Sequence, residues 1–172
     1  VQLNFDWAWW YDSALDEICG SNRLNRLEKN LQGKGMKIGI VMSRFNEDVV
    51  SQLLNACEQR LLALGVAAED ITLATVPGAL ETPLTLQTMA NSERFDGLVA
   101  LGAVIRGETY HFEVVANESA RGISEVQLQF GVPIANAILT TENDEQALDR
   151  VAVKGAEAAD VIIEMIHLLR QI

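Results

Sequence analysis

From Met36 onward the sequence alternates short apolar runs with longer stretches of helical periodicity, and this alternation restricts the fold more than any other feature. Met36 to Val41, Ile71 to Val76, Gly97 to Ile105 and Pro133 to Leu139 read as strands. Leu98 to Leu101 has the aliphatic content of a strand covered on both faces, as in parallel sheets. Between the strands, Glu47 to Leu64 repeats Leu53, Leu54, Cys57, Leu61 and Leu62 at helical spacing and closes on Gly65. Leu80 to Asn91 reads as a helix with Pro83 tolerated in its first turn. Thr109 to Phe130, Asn143 to Val153 and Ala156 to Gln171 complete the helices. Such alternation builds right-handed βαβ units, hence a parallel sheet with helices on both faces.

The bulk properties narrow the partners. A chain of 172 residues suits one domain plus an appendage. Its formal charge of −11 argues against nucleic acid or an anionic membrane as a partner, because phosphate backbones are gripped by Lys and Arg. A small phosphorylated molecule needs only a local cationic pocket. No apolar run approaches the ~20 residues that span a bilayer, and the opening residues lack the pattern of a secretory signal. Cys19 and Cys57 have neither metal-ligand spacing nor a disulfide framework, so a reducing cytosol is the expected compartment. Residues 1–21 stand apart: Trp7, Trp9 and Trp10 are the only tryptophans, and Gly20, Ser21 and Asn22 read as a joint. We read 1–21 as a Trp-rich appendage, whether appended or natural, and 22–172 as the folded domain. Its tryptophans are expected to dock on a surface, since that density of exposed rings would be adhesive.

Parallel sheets bind ligands beyond the carboxyl ends of their strands. Four segments follow strand ends here: Ser43 to Asn46, Val76 to Glu81, Ala103 to His111, and the region of Asn136. All four are expected to converge on one crevice. The stretch from Gly102 to His111 is the richest, because an apolar strand runs straight into Arg106, Glu108, Thr109 and His111. Taken singly, these residues have plainer readings. Phe45 suits a buried loop, Glu81 a helix-start acid, Arg150 a solvated helix, and His111 a structural position. His167, alone in the last helix, reads as a surface or packing residue.

Their company changes the balance. Arg44, Phe45 and Asn46; Val76 to Ala79 with Glu81; Gly102 to His111; Asn117 and Glu118; and Leu139 to Thr141 with Gln146, Ala147 and Arg150 resemble, in order and spacing, the lumazine synthase family. The resemblance runs from about Met36 to the end of the chain. It implies a flavodoxin-like α/β/α sandwich with a four-stranded parallel sheet, working without metal or redox cofactor. The implied reaction condenses 5-amino-6-ribitylaminouracil with 3,4-dihydroxy-2-butanone 4-phosphate, with loss of phosphate and water. By position, Phe45 resembles the residue stacked on the pyrimidine, Ala79, Leu80 and Glu81 the ribityl-binding segment, and Ala103, Val104 and Ile105 the pyrimidine-reading strand end. Glu108 and Thr109 match the phosphate-binding step at a helix start, where free N–H groups suit an anion. Arg150 matches the phosphate-binding arginine, with Lys154 as an added source of positive potential. His111 resembles the acid/base, a role that suits a side chain titrating near neutrality.

Two departures stand out. Asn136 occupies a position where many relatives have phenylalanine, and Leu80 one where many have an aromatic, implying a less aromatic pocket. The chain between Lys154 and Glu164 lacks the Gly-Asn-Lys-Gly segment at which capsid-forming relatives bend. The family implies a homopentamer with sites between subunits. An archaeal-type riboflavin synthase, sharing the fold, and a non-catalytic scaffold carrying the N-terminal peptide are the competing readings.

Overall fold

The protein is described by a computed structural model over residues 24–172. The reading of residues 1–21 as an appendage lies outside the described residues. Four parallel strands form a single sheet in the order β2-β1-β3-β4. These are β1 (Ile38–Ser43), β2 (Ile71–Val76), β3 (Gly97–Ile105) and β4 (Ile134–Thr141). The helices are α1 (Glu47–Ala63), α2 (Thr82–Asn91), α3 (His111–Phe130), α4 (Asp144–Leu148) and α5 (Val151–Gln171).

Strand composition follows strand position. In β1 every residue is buried, and in β3 all but Ile105 are, because central strands meet helices on both faces. The outer strands β2 and β4 mix exposed and buried residues. Along β1, side chains alternate between the two layers. Ile38, Ile40 and Met42 join Leu53 and Leu61 of α1 and Ile162 and Ile163 of α5 in one core. Val41 joins Leu86 of α2 and Ile123 and Val126 of α3 in the other. The result is the three-layer α/β/α sandwich that the sequence implies.

Several boundaries differ from the sequence reading, and β1 and β4 run on to Ser43 and Thr141 instead of ending at Val41 and Leu139. The expected first turn of α2 begins instead as a 3₁₀ turn, Ala79–Glu81, before regular helix starts at Thr82. The helix expected from Thr109 starts at His111. The break expected between Val153 and Ala156 is absent, and α5 runs unbroken from Val151 to Gln171. The break falls at Asp149 and Arg150. Gly155 does not end a helix: a Cβ there would sit 2.5 Å from the Leu53 carbonyl oxygen and 2.7 Å from the Ala56 Cβ. The glycine lets α1 and α5 approach backbone to backbone. Cys57 lies in this same layer, and burial, followed by the nearby Glu58 charge, pushes its thiol up to about 12. That favours an inert packing residue over a nucleophile.

His167, expected at the surface or in packing, places a ring nitrogen 2.8 Å from the Gln32 carbonyl oxygen, tying the segment before β1 to α5. Among the described residues no helix is long and apolar enough to cross a membrane.

Candidate active site

The chain leaves β1 in one direction to form β2 and in the other to form β3, so the sheet order reverses between β1 and β3. Such a switch point opens a crevice at the carboxyl ends of the strands. A cavity of about 330 Å³ lies there. Phe45 and Asn46 reach it from the end of β1, Ala79, Leu80 and Glu81 from the turn after β2, and Ala103, Val104 and Ile105 from the end of β3. Thr109 and His111 close it from the approach to α3.

Local backbone chemistry positions these groups. Asn46 adopts the left-handed conformation, φ 59 and ψ 48, that asparagine tolerates better than most residues. From there its side-chain amide donates to the Ala103 carbonyl, 3.0 Å away, joining the ends of β1 and β3. Asn46 belongs to the Arg44–Asn46 motif but had no assigned role, and its left-handed turn is the reason it is needed. Phe45, beside it, is 71 % exposed, so the plainer reading of a buried loop ring does not hold. Its face is free for a planar ligand. Ala103 and Val104 are buried, leaving mainly backbone to offer a ligand. Glu81 immediately precedes α2. Gly107, Phe112 and Val115 also line the cavity, although the sequence assigned them no part.

The expected convergence of four segments holds for three. Asn136 does not lie beyond the end of β4: it pairs with Ala100 in the body of the sheet. The strand continues to Thr141, well past the expected end at Leu139. Asn136 is exposed, and its side-chain oxygen accepts from the Ile138 amide at 3.0 Å, satisfying a donor on the sheet's open edge. With Arg150 and Lys154 it lines a second cavity, of about 360 Å³, between β4 and α5. The two cavities share no lining residue. Glu108 is exposed and lines neither.

Their electrostatics are opposite. Among the described residues, the His111 cavity has Glu81 on its wall and no lysine or arginine. The Arg150 cavity has Arg150 and Lys154 against Glu157 and, among the described residues, neither an aromatic ring nor a histidine. Arg150 donates from Nη1 to the Gln146 carbonyl at 2.7 Å, which caps α4 and holds the guanidinium near the cavity. Lys154 is paired with Glu157 at 2.5 Å, which offsets part of the positive potential expected from it.

Arg106 occupies the hinge between these regions. It is the first residue after β3, and its amide extends the β3–β4 ladder by donating to the Thr141 carbonyl at 2.9 Å. Its side chain donates to Glu113 at 2.5 Å and to Glu142 at 2.6 Å. The guanidinium also lies over the Phe112 ring, 4.1 Å from the centroid. The hydrogen bond from Arg106 is the main reason the Glu113 carboxyl sits below its ordinary range.

A parallel α/β sandwich with an aromatic-mouthed, mainly apolar cleft at its switch point has the flavodoxin-like arrangement, in which small molecules bind at strand ends. Residues 35–170 match the family model of 6,7-dimethyl-8-ribityllumazine synthase. The chain is 69 % identical over 149 residues to the 6,7-dimethyl-8-ribityllumazine synthase of Methylobacillus flagellatus, covering 87 % of this chain and 100 % of that protein. It is 66 % identical over 142 residues to the enzyme of the same name from Chromobacterium violaceum, covering 83 % of this chain and 92 % of that one. Against the Burkholderia multivorans enzyme of that name the identity is 59 % over 145 residues, 84 % of each chain. The chain belongs to the 6,7-dimethyl-8-ribityllumazine synthase family.

Proposed function

We infer that the protein is a transferase of riboflavin biosynthesis, condensing 5-amino-6-(D-ribitylamino)uracil with 3,4-dihydroxy-2-butanone 4-phosphate to form 6,7-dimethyl-8-ribityllumazine. It works in the cytosol as a cyclic homo-oligomer, a pentamer, and each active site joins the His111 cavity of one subunit to the Arg150 cavity of its neighbour. One observation carries this reading: each cavity holds only half of the chemistry such a pair of substrates demands. A planar pyrimidine and a sugar chain suit Phe45 and Glu81, but the phosphate needs a cation, and among the described residues no Lys or Arg lies on the wall of the His111 cavity. Arg150 supplies a planar fork for phosphate oxygens. Among the described residues, its cavity has no residue in common with the first. A head-to-tail ring brings the two kinds of surface together at every interface.

In the assembled site, Phe45 stacks on the pyrimidine, while Leu80 and Ala79 pack along the ribityl chain and Glu81 accepts from its hydroxyls. Backbone groups of Ala103, Val104 and Ile105 meet the pyrimidine edge. The free amides at the start of α3, with Thr109 before them, and Arg150 of the neighbour hold the phosphate. Asn136 of the neighbour closes the ring pocket with a polar side chain. His111 exchanges protons as the amine adds to the ketone, water departs and phosphate leaves. Such acid–base help contributes roughly 10²–10⁴-fold, and bringing two substrates together in register adds to it.

Every assigned residue lies within 22–172, so removing residues 1–21 should leave turnover near normal. The direct test incubates the protein with both substrates and follows lumazine absorbance and fluorescence. Product formation at a rate proportional to protein is the expected result, and none above the uncatalysed background would overturn the assignment.

A further inference from the structure

The start of α3 carries His111, yet little of the helix itself holds that end in place. Tyr110, the residue before it, offers no side-chain cap to the free amides. The first fully buried residue of the helix is Ser119, so residues 111–118 contribute no fully buried anchor to the core. An uncapped helix start with few buried contacts opens readily. Arg106 supplies the missing restraint from outside the helix. Its backbone is fixed by the bond to Thr141. Its side chain grips Glu113 in the first turn, stacks on Phe112 and is braced from the far side by Glu142, which follows β4. Phe112 and His111 both line the cavity, whereas Arg106 lines neither cavity and has two of its donors committed to carboxylates. That placement does not suit a phosphate ligand.

We propose that Arg106 is a positioning residue for the condensation: clamped between Glu113 and Glu142 and stacked on Phe112, it fixes the first turn of α3 and thereby the aim of the His111 side chain. The proposal rests on the reading of His111 as the acid/base and gives that reading a structural support. Exposed ion pairs of this kind add little to global stability. The effect should therefore appear in turnover and local order, with little change in melting.

Arg106→Ala should lower kcat by roughly tenfold or more, since small misplacements of a catalytic group can cost up to about 10²-fold. KM for either substrate should change much less. Arg106→Lys should recover part of the loss, because an ammonium keeps the charge but not the planar fork or the stack. In a His111→Ala background the Arg106→Ala change should cost little further kcat, as expected of a residue acting through the histidine. Independently of turnover, amide hydrogen exchange in Arg106→Ala should accelerate at residues 114–116 and stay unchanged at 123–126.

Unchanged exchange at 114–116 would overturn the proposal. So would an equal kcat loss in the presence and absence of His111. If the unaltered protein made no lumazine, the function assigned above would fail, while the exchange experiment would still decide whether Arg106 orders the first turn.

Discussion

The two cavities differ in how their residues are delivered. Around His111, the contributors lie at or beyond the carboxyl ends of β1, β2 and β3, so the parallel sheet aims them at one point. Around Arg150, the contributors come from the body of the edge strand β4 and the first turns of α5, facing outward. The first region is shaped by the fold of one chain. The second is an open flank whose charged groups have no ring-binding or acid–base partner within their own cavity. Within one chain the two sets of residues stay in separate cavities.

The largest effect should separate chemistry from architecture. His111→Ala is expected to reduce turnover by roughly 10²-fold or more, the usual scale for a lost acid/base, while the variant elutes from a sizing column as the unaltered protein does. Unchanged turnover in a folded variant would remove His111 from the mechanism and leave the first cavity as a binding cleft only.

Next in size is the contrast between substrates. Arg150→Ala should weaken binding of an unreactive butanone phosphate analogue by about tenfold or more, because charge-assisted contacts to phosphate are among the stronger hydrogen bonds. It should spare a ribitylaminouracil analogue. Phe45→Ala should do the reverse, weakening the pyrimidine ligand by roughly two- to tenfold, the equivalent of a stacking contribution of ~0.5–1.5 kcal/mol. Calorimetry with each analogue distinguishes the two. Equal effects of both variants on both ligands would erase the comparison.

Gly155→Ala probes the flank through packing. The added methyl would press on the Leu53 carbonyl and the Ala56 Cβ, forcing α1 and α5 apart. Overpacking of this kind costs about 1–3 kcal/mol, readable as a lower urea midpoint. Affinity for the phosphate analogue should fall with it if α5 carries the anion site. A lower midpoint with unchanged phosphate affinity would detach Arg150 from the placement of α5.

The smallest effect concerns pH. The Glu113 carboxyl is held below its ordinary value of 4.5, chiefly by the hydrogen bond from Arg106. A depressed carboxylate favours the folded arrangement above its unfolded value, and that contribution is lost as pH falls through the folded value. The clamp should therefore be intact at neutral pH and loosen only below about 4.5. Exchange at residues 114–116 is expected to rise there, after subtraction of the intrinsic pH effect, and to do so less in Glu113→Gln.

Much of the first region was legible in the chain. Apolar strands followed at once by Phe45, Ala79–Glu81 and Ala103–His111 announce both the sheet and the edge where ligands bind. The strand read from Pro133 to Leu139 already contains Asn136, in conflict with grouping it among strand-end segments, and the β3–β4 register, which pairs it with Ala100, decides for the strand. Sequence alone did not show the clamp. Arg106 meets Glu113 seven residues away and Glu142 thirty-six away, and the second contact exists only because β3 and β4 are neighbours. Gly155 misled in the opposite way. A glycine in a helical pattern reads as an interruption, whereas here the close approach of α1 demands it inside a continuous helix.

The central claim is that the His111 and Arg150 cavities of different subunits form one site, and a mixing experiment tests it most directly. Phe45→Ser and Arg150→Ala chains, each first assayed alone for its reduced turnover at limiting substrate, would be unfolded and refolded together, with native mass spectrometry confirming mixed oligomers. Shared sites predict recovered activity, because some interfaces then pair an intact Phe45 cavity with an intact Arg150 cavity. Mixed oligomers with no activity above either parent would contradict the shared site.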